Sequence, residues 1–172
     1  SATFRKQFST YPDLLCSGLF WGYSICLSFG IACFYAFLSG APLVADKVLH
    51  LPPSQLGLYM GSITGAFLVG SFISNRLAKH TTSTKLVLAG RIVSVSGLSL
   101  GLIMVMSGNI TSLSIFGSTI FIGLGNGMSL PSCYVGVMNV RSDLAGSAAG
   151  LSGAMGVAAG AILATMMAAI LT

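Results

Sequence analysis

Acidic residues are almost missing from this chain. Its 172 residues include three, Asp13, Asp46 and Asp143, against eight Lys and Arg, and charged residues make up 6% of the whole. A soluble domain carries about 25% charged residues, so this chain cannot cover a water-facing surface. The same scarcity excludes most catalytic chemistry. There are two histidines, His50 and His80, both in predicted loops, and the acids lie in or beside loops. No carboxylate pair, nucleophile with its base, metal cluster or phosphate loop can be assembled from them. No mid-membrane lysine offers a retinal Schiff base. The four cysteines, Cys16, Cys26, Cys33 and Cys133, fall in or beside apolar runs without metal-ligand spacing. They read as small packing residues rather than a disulfide or metal site. No enzyme activity, cofactor or metal is expected. The net charge of +5 sits mostly in one loop and is no nucleic-acid footprint.

What the chain does have is apolar length. It is 54% hydrophobic, with a mean hydropathy of +0.91 and 22 glycines. Its periodicity is helical rather than the alternation of an outer-membrane barrel. The expected fold is an all-α membrane protein, a polytopic helical bundle with five transmembrane helices. Residues 1–13 form a cytoplasmic tail and residues 14–172 the membrane domain. The N-terminal SATFRKQFSTYPD is no secretory signal, since the apolar stretch after it is too long and no small-residue cleavage site follows. With no initiator Met, the chain is expected to begin after processing or to be a piece of something longer.

The spans are expected at about 14–45, 56–75, 86–106, 113–137 and 144–171. The first has 32 uncharged residues, where a span needs about 20. Phe20, Trp21 and Tyr23 suit the headgroup level, and Pro42 should end or kink the helix. Asp46, Lys47, His50, Pro52 and Pro53 make a polar connection, and Ser54 is a plausible N-cap for the second span. Gly57, Gly61 and Gly65 line one face of that span and invite close packing. Arg91 stands inside the third span and is expected to snorkel back to the headgroups rather than form an intramembrane ion pair. Asn109-Ile110-Thr111 matches the glycosylation pattern by chance. The fourth span has a soft centre, Gly123, Gly125, Asn126, Gly127, Ser129 and Pro131. That predicts a bent helix packed by protein or facing water. Ser142 or Asp143 is a candidate cap for the last helix. There, Gly146, Gly150, Gly153, Gly156 and Gly160 form a helix-packing stripe.

Charge fixes orientation. GSFISNRLAKHTTSTKLVLAGR, residues 70–91, holds Arg76, Lys79, Lys85 and Arg91 and no acid. The N-terminal tail carries +1 from Arg5, Lys6 and Asp13, and the remaining connections are neutral. Lys and Arg resist translocation. The expected topology is therefore N-terminus in the cytoplasm and C-terminus in the periplasm.

Four stretches, FYAFLSGAPLV, QLGLYMGSITGAFLVGSFISNRLAKH, GLGNGMSLPSCYVGVM and RSDLAGSAAGLSGAMG, resemble the second half of the Bcr/CflA drug-resistance transporters of the major facilitator superfamily. The likeness is collinear from about Tyr11 to the end and covers the seventh to eleventh of twelve spans, a partial half of that fold. Asn75, Arg76, Lys79 and His80 match the polar positions of the second-half copy of its cytoplasmic-loop motif, with Ser71 and Ala78 where the motif has glycines. The glycine helix matches the antiporter span that bends at Gly-Pro, but lacks the proline.

The resemblance implies multidrug or small-molecule efflux at the bacterial inner membrane by proton antiport and alternating access. Its implied partners are the lipid bilayer, the remaining spans of a twelve-span transporter, protons and a small amphipathic substrate held near the midplane. The candidate cavity residues are Tyr35, Phe37 and Ser39 from the first span and Asn126, Met128 and Ser129 from the fourth. Ordinary helix packing is the alternative for each. Asn75, Arg76, Lys79 and His80 would form a conformational latch. No carboxylate is placed to carry the coupling proton, so that group is expected outside this chain. The rival expectations are a transport-incompetent fragment and a membrane structural or assembly subunit packing through its glycines.

Overall fold

Five helices account for the five apolar runs, and the computed structural model describes residues 14–171. The tail expected over 1–13 lies outside the described residues, as does Thr172. The helices are α1 (Gly18–Lys47), α2 (Pro53–Leu77), α3 (Ser83–Met106), α4 (Ser112–Val140) and α5 (Ala145–Leu171). All five are long and apolar enough to cross a membrane, and no strand occurs among the described residues.

Local chemistry moves several boundaries. Ser17 caps α1 by accepting from the Phe20 amide at 3.5 Å, so the helix begins after Leu14. Pro42 does not end it. Ala41 and Ala45 are buried against Phe116, and this packing carries α1 through Asp46 and Lys47, which belong to its last turn rather than to the connection. The chain leaves through His50, at a positive φ of 49°. Ser54 is not the cap of α2. Pro52 takes that position and Pro53 the first helical one, where a missing N–H costs nothing. Asp143 stands two residues before the start of α5. Its carboxylate takes two hydrogen bonds from Arg141, at 3.0 Å each, beside the 3-10 turn Ser142–Leu144.

α4 is the centre. It packs against α3, α2 and α1, while α5 lies mainly on α1. α4 also carries the largest buried set, running from Ser114 to Val137. It passes through Pro131 unbroken. Beside the proline, Ser74 and Ser132 both donate to the Met128 carbonyl, at 2.9 and 3.3 Å. Such hydroxyl donors let a membrane helix tolerate proline.

Outward, α3 exposes Leu88, Ile92, Val95, Leu102 and Ile103, and α2 exposes Leu58, Leu68 and Phe72. Large apolar side chains in rows suit a hydrocarbon surrounding. The face of Gly57, Gly61 and Gly65 on α2 was expected to pack closely. It has no neighbour within 4 Å among the described residues.

Candidate functional site

The run Gly123–Gly127 of α4 is divided among three neighbours. A Cβ on Gly123 would meet the Ile63 carbonyl and one on Gly127 the Phe67 carbonyl, both on α2. Gly125 sits two residues round the helix, against Gly90 and Ser94 of α3. Backbone touches backbone on both sides, which only glycine permits. Asn126, between them, is directed to α1, where its amide N–H donates to the Gly30 carbonyl at 3.1 Å.

Arg91 completes this crossing. Its Nη1 donates to Asn126 Oδ1 at 2.8 Å, its Nη2 to the Cys26 carbonyl at 2.6 Å, and its Nε to Cys26 Sγ at 3.2 Å. The expected snorkelling is thus overturned. The guanidinium reaches across to α1 and to the middle of α4 rather than to the end of its own helix. Protein acceptors replace headgroup and water, and Gly30 leaves the room for them. A Cβ on Gly30 would lie 2.5 Å from Nη2 and 3.0 Å from Nη1. Among the described residues Arg91 forms no ion pair. One side chain therefore ties α3, α4 and α1 together, and it fixes which way the Asn126 amide faces.

Asn126 also borders a cavity of about 270 Å³. Ile31 and Phe34 of α1, Ile63, Thr64 and Phe67 of α2, and Leu130 of α4 complete its wall. It is an apolar chamber with one oriented amide and one hydroxyl. Such a lining suits a compact apolar molecule bearing a hydrogen-bonding group. It holds no titratable side chain.

The sequence candidates distribute unevenly around this centre. Of the six cavity candidates, Asn126 alone borders the chamber. Tyr35 lies against Gly160 of α5. Phe37 packs edge-on to Phe116, with centroids 6.3 Å apart, in a cluster where Tyr59 stacks on Phe116 at 4.8 Å. Ser39 donates to the Tyr35 carbonyl of its own helix. Met128 and Ser129 are buried where α4 meets Gly90 of α3. Asn75, Arg76, Lys79 and His80 are all exposed at the end of α2. Arg76 lies over the Phe72 ring at 5.1 Å, and Asn75 edges a cleft that Ser71, Ser74, Ser132, Pro131 and Val135 also line.

The α5 stripe is split. A Cβ on Gly156 would meet Leu27 and Ile31, one on Gly160 would meet Tyr35, and one on Gly153 would lie 3.3 Å from the Tyr134 hydroxyl. Gly146 and Gly150 face no neighbour within 4 Å. α1 and α5 are further joined by a buried Ser24–Ser152 hydroxyl pair at 2.6 Å.

Sequence reasoning missed Phe34, Ile63 and Phe67 as cavity walls and Cys26 and Gly30 as partners of Arg91. The aromatics carry no signal separating cavity from lipid. Arg91 itself was visible, as the lone charge within an apolar run. The family model of the Major Facilitator Superfamily matches residues 2–165. No curated protein and no solved structure gives a significant match.

Proposed function

The chain belongs to the major facilitator superfamily, and from that premise we infer that it is part of an exporter of small amphipathic compounds, driven by proton antiport and alternating access, as in the Bcr/CflA transporters it resembles. The observation carrying this reading is the chamber between α1, α2 and α4, with Phe34 and Phe67 on its wall and the Asn126 amide held in one orientation by Arg91. Aromatic and aliphatic walls accept varied apolar bodies, and one fixed polar group orients them.

The chamber offers no proton carrier, so the coupling carboxylate belongs to spans outside this chain. The setting is the bacterial inner membrane, with the N-terminus cytoplasmic and the C-terminus periplasmic. Arg76, Lys79, Asn75 and His80 then lie on the cytoplasmic face, free to latch onto neighbouring segments as the transporter changes state. A second reading, a membrane subunit that assembles through glycine faces, is favoured by the open Gly57, Gly61 and Gly65 face.

The test is transport in everted inner-membrane vesicles from cells producing the complete reading frame that contains this chain. Accumulation of a fluorescent amphipathic compound should need the proton gradient and stop with a protonophore. Asn126→Ala and Phe67→Ala should change the ranking of a panel of such compounds. A reading frame encoding no further spans, or cavity variants with an unchanged ranking, would overturn the transport reading.

A further inference from the structure

Two of the four cysteines, far apart in sequence, are brought to one place. Cys26 of α1 is half-buried and packs, across the α1–α4 seam, against the cluster that holds the fully buried Cys133 of α4. The Arg91 guanidinium donates to the Cys26 sulfur from the other side, at 3.2 Å. The surroundings are apolar, with Leu27 and Val87 buried beside the pair. Ile31 and Leu130 pack against the same cluster and also line the chamber. A cation that forms no ion pair among the described residues and two cysteines stand together in an apolar cluster.

We propose that Cys26 and Cys133 form a two-coordinate site for a soft monovalent metal ion, Cu⁺ or Ag⁺, with Arg91 as its counter-ion. Thiolates select soft ions. Two sulfurs suffice for linear coordination of such an ion, whereas structural zinc requires four protein ligands. No group of three or more metal-ligating side chains occurs among the described residues. The charge balance points the same way. Two thiols lose two protons and bind one M⁺, giving a bis-thiolate complex of charge −1, which the guanidinium neutralises. A divalent ion would leave the bis-thiolate neutral and Arg91 uncompensated. The inference stands apart from the transport reading, since it concerns binding alone.

The probe is Cu⁺ supplied as its bicinchoninate complex to the whole chain in detergent, with the exposed Cys16 and Cys33 replaced by Ser. The expected result is withdrawal of one Cu⁺ per chain, with X-ray absorption showing two sulfur neighbours. Cys26→Ser and Cys133→Ser should each abolish uptake. Arg91→Gln should weaken it by about ten-fold or more, as loss of a group supporting a metal's ligands does. No uptake, ligation by nitrogen or oxygen, or equal uptake by a Cys→Ser variant would overturn the site. Should a variant not fold, judged by gel filtration, the ligand count in the Cys16→Ser/Cys33→Ser chain decides alone. Two sulfurs at a stoichiometry of one supports the site, and any other result refutes it.

Discussion

The backbone of Gly30 and the guanidinium of Arg91 are complementary surfaces: a single methyl on Gly30 would lie 2.5 Å from Nη2, inside any real contact distance. The same carbonyl that Gly30 presents accepts the Asn126 amide at 3.1 Å. Glycine at 30, Asn at 126 and Arg at 91 are thus one unit on three helices. Gly30→Ala must displace the guanidinium from all three of its acceptors or push α1 from α4. The expected cost is about 1–3 kcal/mol, the range for an overpacked contact. Reversible unfolding in mixed micelles measures it, and stability equal to the parent chain would contradict the fit.

Arg91 and Asn126 should be energetically coupled. A double-mutant cycle with Arg91→Leu and Asn126→Leu should give a coupling of about 0.6 kcal/mol or more, the average for hydrogen bonds between membrane helices, whose maximum is about 1.7 kcal/mol. Arg91→Lys should not rescue the single loss. A lysine ammonium cannot reproduce the planar fork that serves Cys26 and Asn126 at once. Additive single effects would show that the contact contributes nothing.

The number and order of helices were legible because charge and hydropathy alone decide which segments enter lipid. Arg76, Lys79 and Lys85 separate two apolar runs, and α2 and α3 lie on either side of them. Caps were less legible, because prolines and buried alanines at Pro52, Pro53, Ala41 and Ala45 outweighed the polar residues that signal helix ends. Asn126 stood out as a candidate because it is the polar side chain in the glycine-rich soft centre of the fourth span. Phe34 and Phe67 did not stand out as walls of the chamber, because an aromatic on a membrane helix looks the same toward lipid as toward a chamber. Arg91 was seen but misdirected. A snorkelling reading considers only its own helix, whereas its acceptors are residues 26 and 126 on other helices.

Glycine density misleads about where packing is tight. α5 is richest in evenly spaced glycines, yet Gly146 and Gly150 face open space, while Gly125 of α4 is pressed against the Gly90 carbonyl and Ser94. Gly125→Ala should therefore destabilise the bundle by about 1–3 kcal/mol, because backbone cannot yield as a flexible side chain does. Gly146→Ala should stay within about 0.5 kcal/mol of the parent chain. Thermal unfolding of the two variants in one detergent provides the comparison. Equal effects would mean that close approach at Gly125 is not what holds α3 to α4.

Orientation can be tested because the two ends of the bundle differ in charge. The α2–α3 connection is flanked by Arg76, Lys79 and Lys85, whereas the α3–α4 connection, from Ser107 to Thr111, carries no charge at all. Arg91, now tied into the bundle interior by Cys26 and Asn126, adds little to the retention of the nearer end. The three remaining cations should suffice, since short loops with clustered Lys and Arg resist translocation. An alkaline phosphatase fusion after His80 should be inactive and one after Gly108 active. Lys79→Gln with Lys85→Gln should lower the fraction of chains in that orientation. If the His80 fusion is the active one, the topology is inverted, and the residues assigned here to a cytoplasmic latch would lie in the periplasm.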